Sequence, residues 1–136
     1  MDLFWTKTFT ENVWKYNWNL KMFLDKEVRV LLKGQAKKSY IKLKKCEDKE
    51  SKSLIKSIQR IVDVLKENPQ YGDPIAKKLI PKKFKELGIN NLYRAELSNY
   101  WRLIYTIEGT KVEIFLFILS IVDHRDYNKL FGYRNR

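Results

Sequence analysis

The side chains able to move protons or hold a phosphate gather in the last third of the chain. Asn91 to Tyr105 reads NLYRAELSNYWRLIY and carries Arg94 and Arg102. His124, the one histidine, stands between Asp123 and Arg125, with Tyr127 and Tyr133 following. An imidazole titrates near neutrality, a guanidinium stabilises negative charge that develops in a transition state, and a phenol can donate a proton. Attack of an RNA 2′-hydroxyl on its own phosphate, without a metal, needs a base for the hydroxyl, charge stabilisation for the phosphorane and a proton for the departing 5′-oxygen. Arginine, histidine and tyrosine can supply all three. Each also has an ordinary reading. Arg102 could form a cross-strand ion pair with Glu96 or Glu113, a lone histidine is usually structural or merely exposed, and Tyr127 and Tyr133 could be amphipathic anchors at the end of the fold.

Other chemistries lack their residues. The sequence has no HExxH, no His/Cys cluster and no dense carboxylate group, so no metal is expected. It has no Walker loop and no GxGxxG fingerprint, and no cofactor is expected either. The 28 Lys+Arg against 16 Asp+Glu give a net charge of +12, the sign and size expected of a polyanion binder. Lys37, Lys38, Lys42, Lys44 and Lys45, with Lys77 to Lys85 including Lys82 and Lys83, could grip RNA phosphates, although solvated helix faces look the same. Cys46 is the only cysteine, which excludes an intrachain disulfide and a thiolate metal cluster and fits a reducing cytoplasm. The longest apolar run, Ile114 to Leu119, is of strand length, far below the roughly 20 residues that span a bilayer, and no export signal opens the chain. The expectation is a cytoplasmic protein with no membrane contact.

The elements that must position these residues can be read from periodicity. The 136 residues suit one domain. Residues 1–26 hold Trp5, Trp14 and Trp18 and read as an extension. Thr10 could cap a helix with Val13, Trp14, Trp18 and Met22 on one stripe, either docked on the domain, serving as a partner-binding arm, or preceding a start at Met22. Residues 27–136 form the main domain. Glu27 to Leu32 is β-branched and apolar enough for a first strand, broken by Gly34, and Gln35 to Lys45 has near-helical spacing. Ser51 or Ser53 could cap a second helix reaching Glu67, where Leu54, Ile55, Ile58, Ile61, Val62 and Leu65 follow helical spacing until Asn68-Pro69. Gln70 to Asn90, with Pro74, Pro81 and Gly88, should be a loop with short helical pieces. Leu92 to Leu97 and Trp101 to Glu108 read as strands turning at Ser98-Asn99. Lys111 to Ile121 reads as the most buried strand, and Asp123 can cap a short final helix holding Tyr127, Leu130 and Phe131. Strand, two helices and an antiparallel meander make an α+β domain: the helix pair covers one face of the sheet, and the other face is left for converging cations. Strict alternation puts Trp101, Leu103 and Tyr105 on one face and Arg102, Ile104 and Thr106 on the other.

Tyr93-Arg94, the run Tyr100-Trp101-Arg102-Leu103-Ile104-Tyr105 and Asp123-His124-Arg125 with its later tyrosines resemble the carboxy-terminal half of the RelE/ParE toxin superfamily. The resemblance extends over about Glu27 to Arg134. It implies an α+β fold with two N-terminal helices packed on a small antiparallel or mixed β-sheet and a short C-terminal helix. It also implies the toxin of a type II toxin-antitoxin pair, a metal-independent ribonuclease that cuts mRNA on the ribosome and is silenced by a cognate antitoxin protein. In this resemblance Arg102 binds the scissile phosphate, Arg125 stabilises transition-state charge, and His124 with Tyr127 or Tyr133 takes part in proton transfer. Arg94 matches a position where ribosome-dependent members carry a cation. Glu96 departs from the pattern, standing where a second cation is usual, and either repels phosphate or serves as general base. Two alternatives stay open: a ParE-like protein that binds DNA gyrase, and a catalytically silent nucleic-acid or protein-binding module of the same fold.

Overall fold

The computed structural model describes residues 4–8, as backbone, and residues 26–110 and 113–132. Alternation builds its sheet. Strands β1 (Phe4–Thr8), β2 (Glu27–Leu32), β3 (Asp73–Pro74), β4 (Tyr93–Glu96), β5 (Arg102–Gly109) and β6 (Glu113–Val122) lie in the order β1-β2-β6-β5-β4-β3. β2 and β6 run parallel, and every other neighbouring pair is antiparallel. The helices are α1 (Gly34–Lys45), α2 (Lys49–Glu67), the single turn α3 (Lys82–Lys85) and α4 (His124–Phe131). Among the described residues no helix is long and apolar enough to cross a membrane. The chain is thus an α+β domain on a mixed sheet.

The helix pair takes one face. Val28, Val30 and Leu32 of β2, Leu103 and Tyr105 of β5, and Ile114, Leu116 and Ile118 of β6 meet Leu54, Ile58, Ile61, Val62 and Leu65 of α2 and Ala36 and Tyr40 of α1. Burying such side chains contributes about 1.5–3 kcal/mol each, which makes this core the main stabilising body of the fold. Gly34 at φ +52 turns the chain from β2 into α1, a backbone angle that glycine adopts without steric cost. The next residue fastens the turn: Gln35 Nε2 donates to the Ile121 carbonyl at 3.1 Å, and the Ile121 N–H donates to Gln35 Oε1 at 2.9 Å. Asp48, rather than Ser51 or Ser53, caps α2 by accepting from the Ser51 N–H at 3.0 Å. That bond holds the Asp48 carboxyl below its ordinary range, because it favours the ionised form.

Among the described residues the opposite face is covered only at one end. Ile80 and Phe84, together with Leu92, Ile104, Val122 and Tyr127, form a second, smaller core beneath the 77–92 segment and α4. A bulge creates it. Ile104 pairs with Ser120 but Tyr105 pairs with Ile118, so Leu119 is an extra residue in β6. Its insertion reverses the alternation, sending Ile121 to the helix-pair side and Val122 to the smaller core. β6 is therefore less uniformly buried than its apolar sequence suggests: Phe115 and Phe117 are only half-buried, stacked on each other at 5.8 Å, with the Lys33 ammonium 4.3 Å from the Phe117 ring.

Two further differences from the sequence reading concern the amino-terminal part. Phe4–Thr8 adds an edge strand to β2, where no strand was expected. The expected helix from Thr10 through Met22 lies outside the described residues.

Candidate functional site

β4 and β5 bring the cations together through their register. Glu96 pairs with Arg102 and Arg94 with Ile104. Because Ala95 and Leu103 face the helix pair, Arg94, Glu96 and Arg102 must face the other way. Glu96 then bridges both guanidinium groups, at 3.4 Å from Arg94 Nε and 3.4 Å from Arg102 Nε. The Arg102 contact is a hydrogen bond; the one to Arg94 is a charge contact without hydrogen-bond geometry, which leaves the buried Arg94 Nε without a hydrogen-bond partner among the described residues. Asp73 of β3 approaches the far end of Arg94 at 3.5 Å. The ordinary expectation for Arg102, an ion pair with Glu96, is therefore present, whereas Glu113 pairs with Arg29 at 2.8 Å.

α4 completes the cluster. Asp123 caps it through the Asp126 N–H at 2.9 Å, and the fourth helical residue, Tyr127, turns down onto the sheet. Its ring lies 4.3 Å from the Arg102 guanidinium and 5.8 Å from that of Arg94. Arg94 Nη1 donates to the Tyr127 hydroxyl at 3.3 Å. This hydrogen bond raises the Arg94 pKa, against the opposing effect of burial, so the guanidinium stays charged. Tyr127 itself is only 2% exposed and serves as the floor on which both arginines rest. The arginines are part-exposed, and Glu96 is exposed.

His124 and Tyr100 meet for a simple reason. Arg102 pairs with Val122; two residues before the first is Tyr100, and two after the second is His124. Their rings stand edge to face at 6.5 Å and 72°. Both are exposed, as is Arg125 at the second position of α4. The structure thus gathers Arg94, Arg102 and Tyr127 into one contact cluster and places His124 and Arg125 at the same end of the sheet. Lys83 lines a groove with Gln35, Ser120, Asp126 and Lys129, its ammonium 5.1 Å from the Phe84 ring. Lys82 is exposed and 3.9 Å from Glu86. Lys37 and Lys38 sit on the first turn of α1, half-buried and exposed respectively. Tyr133 lies outside the described residues.

Sequence reasoning missed two members. Asp73 lies in a loop signal, YGDP, with nothing to mark it as a partner of Arg94, and Tyr100 enters the sequence reading only as the first residue of the run that carries the resemblance, with no role of its own. Among the described residues no group of three His, Cys, Asp or Glu could hold a metal ion. Comparison with family models, with curated proteins and with solved structures finds no match to this chain.

Proposed function

We propose that the chain is a RelE/ParE-like toxin: a metal-independent ribonuclease that cuts mRNA on the ribosome and is silenced by a cognate antitoxin. The observation that carries the reading is the convergence of Arg94 and Arg102 over Tyr127, on a sheet end that also presents His124 and Arg125. In the reaction the 2′-oxygen forms a bond to phosphorus in line as the bond from phosphorus to the 5′-oxygen breaks, leaving a 2′,3′-cyclic phosphate and a 5′-hydroxyl. Arg94 and Arg102 stabilise the phosphorane, whose extra charge exceeds that of the starting diester. In this reading His124 and Glu96 take the 2′-proton or return one to the leaving oxygen. Tyr127, buried beneath the guanidinium groups, positions them. The α+β architecture, a helix pair on one face of a mixed sheet and a short closing helix on the other, supports this reading.

The test is single-turnover cleavage of a programmed message at saturating ribosome, with each variant checked for folding by circular dichroism. Arg102→Ala should slow the step by about a hundredfold or more, the scale of a lost charge-stabilising donor. Glu96→Gln should slow cleavage by about a hundredfold or more and alter its pH profile if the carboxylate is the base, and should tighten RNA binding if it only offsets the charge of the arginines. Wild-type rates in a folded Arg102→Ala variant would sink the assignment. One observation favours a second reading: Glu96 already sits between both arginines and offsets part of their charge, as suits a silent binding module or a ParE-like gyrase binder. In cells, DNA synthesis failing before translation, with messages intact, would select gyrase.

A further inference from the structure

Tyr100 is held in a conformation that its own side chain disfavours. It has φ +62, directly after Asn99 at φ +56. Asparagine tolerates the left-handed region, but an aromatic residue there is an outlier that persists only where its surroundings impose it. The surroundings are visible. The Leu97 N–H donates to the Trp101 carbonyl at 2.8 Å, the Trp101 N–H to the Ser98 carbonyl at 3.2 Å, and the Ser98 N–H to Ser57 Oγ of α2 at 2.9 Å. These bonds fasten the turn on both sides of Tyr100 and project its ring into solvent at 81% exposure, without a hydrogen bond from its hydroxyl among the described residues. Strain is thus spent on displaying an aromatic ring rather than burying one.

The ground beside that ring is basic. Lys49, Ser53, Lys56 and Arg60 are spaced i, i+4, i+7 and i+11, one stripe of α2. Two shallow grooves along it meet at Ser53. One runs between Lys49, Glu50 and the Asn99-Tyr100 turn, and the other between Lys56, Arg60 and Ser98. Glu50 is the one carboxylate lining these two, Glu47 lines a third beside Lys49, Lys52 and Lys56, and neither Lys56 nor Arg60 forms an ion pair among the described residues. A flat exposed ring followed by unpaired cations is the combination that holds single-stranded nucleic acid, the ring stacking a base and the cations following the backbone.

We infer that Tyr100 is a stacking platform for one base of single-stranded RNA, and that the Lys56 and Arg60 stripe of α2 carries the phosphates onward from it. The inference rests on the ribonuclease reading for the identity of the strand. With Arg102 two residues along β5, the stacked nucleotide lies next to the phosphate under attack, so Tyr100 selects and aligns the substrate without taking a proton.

The experiment titrates the full chain into a short single-stranded RNA carrying 2-aminopurine, read by fluorescence quenching and by anisotropy. Wild type should quench the probe on binding. Tyr100→Leu should lose the quench and about tenfold in affinity, the scale of one base stack, while Tyr100→Trp should keep both. Changing Lys56 and Arg60 together to Gln should weaken binding and leave the quench at saturation. Tyr100→Leu binding and quenching as wild type overturns the platform while leaving the ribonuclease reading standing. Absence of RNA binding by the wild-type chain even at low salt also overturns the platform, while the ribonuclease reading stands or falls on the single-turnover assay on the ribosome.

Discussion

Tyr105 fastens the loop after α2 to the sheet. Its hydroxyl donates to the Pro69 carbonyl at 2.8 Å and accepts from the Gly72 N–H at 2.9 Å, while its fully buried ring stacks on Tyr93 at 5.2 Å. Burial pushes the hydroxyl pKa up, because the phenolate would lose its hydration. A raised pKa on an acid means that the fold favours the protonated form. The resulting stability is fully present below the unfolded value of about 10 and is lost as pH rises through the higher folded value. Tyr105→Phe should therefore cost about 1–3 kcal/mol at neutral pH, since it strands the Gly72 N–H and the Pro69 carbonyl. It should also flatten the loss of stability above about pH 10. Urea unfolding of both proteins from pH 7 to 11 checks this, and parallel curves across that range would refute the buried-phenol account.

At the scale of elements, the turn carrying Asp73 is set by how closely its backbone approaches β4. A Cβ on Gly72 would sit 2.8 Å from the Arg94 carbonyl oxygen and 2.8 Å from the Tyr105 hydroxyl, closer than real contacts allow. Gly72→Ala should cost about 1–3 kcal/mol, as overpacking does, and should pull Asp73 away from Arg94. Chemical denaturation measures the first effect. Structures dominated by local signals were legible in the sequence: the α2 stripe from Leu54 to Leu65, the strand Glu27–Leu32, the Asp123 cap and the opposed faces of Arg102 and Leu103 all appear as their spacing implies. Features that depend on distant partners were not. Nothing near Phe4–Thr8 announces its pairing with β2, and the Leu119 bulge is visible only against β5. The α2 cap was misplaced because Asp48, Ser51 and Ser53 all carry oxygens able to accept, and only the helix start decides among them. In the site, the Glu96–Arg102 pair follows from strand register. The burial of Tyr127 depends on how α4 docks, which no local pattern reveals.

Across the whole molecule the net charge of +12 acts as one field as well as a set of contacts. Six or more phosphate contacts would cost about a thousandfold or more in affinity between roughly 50 and 200 mM salt, as released counterions are restored. Filter binding of the full chain to ribosomes across that range should show such a fall, and flat binding would remove the basic surface from the proposed function. The placement of β6 has another consequence, one of timing. It lies between β2 and β5, so the edge of β2 opposite β1 waits for residues 113–122 before its ladder closes. A chain emerging from the ribosome therefore exposes β2, α1 and α2 long before the strand that unites them, and the domain folds as a unit only afterwards. Tyr127, which seats Arg94 and Arg102, follows later still. Arg94 and Arg102 are thus made before the residue that seats them, and a site of the proposed kind would not exist until α4 docks on the sheet.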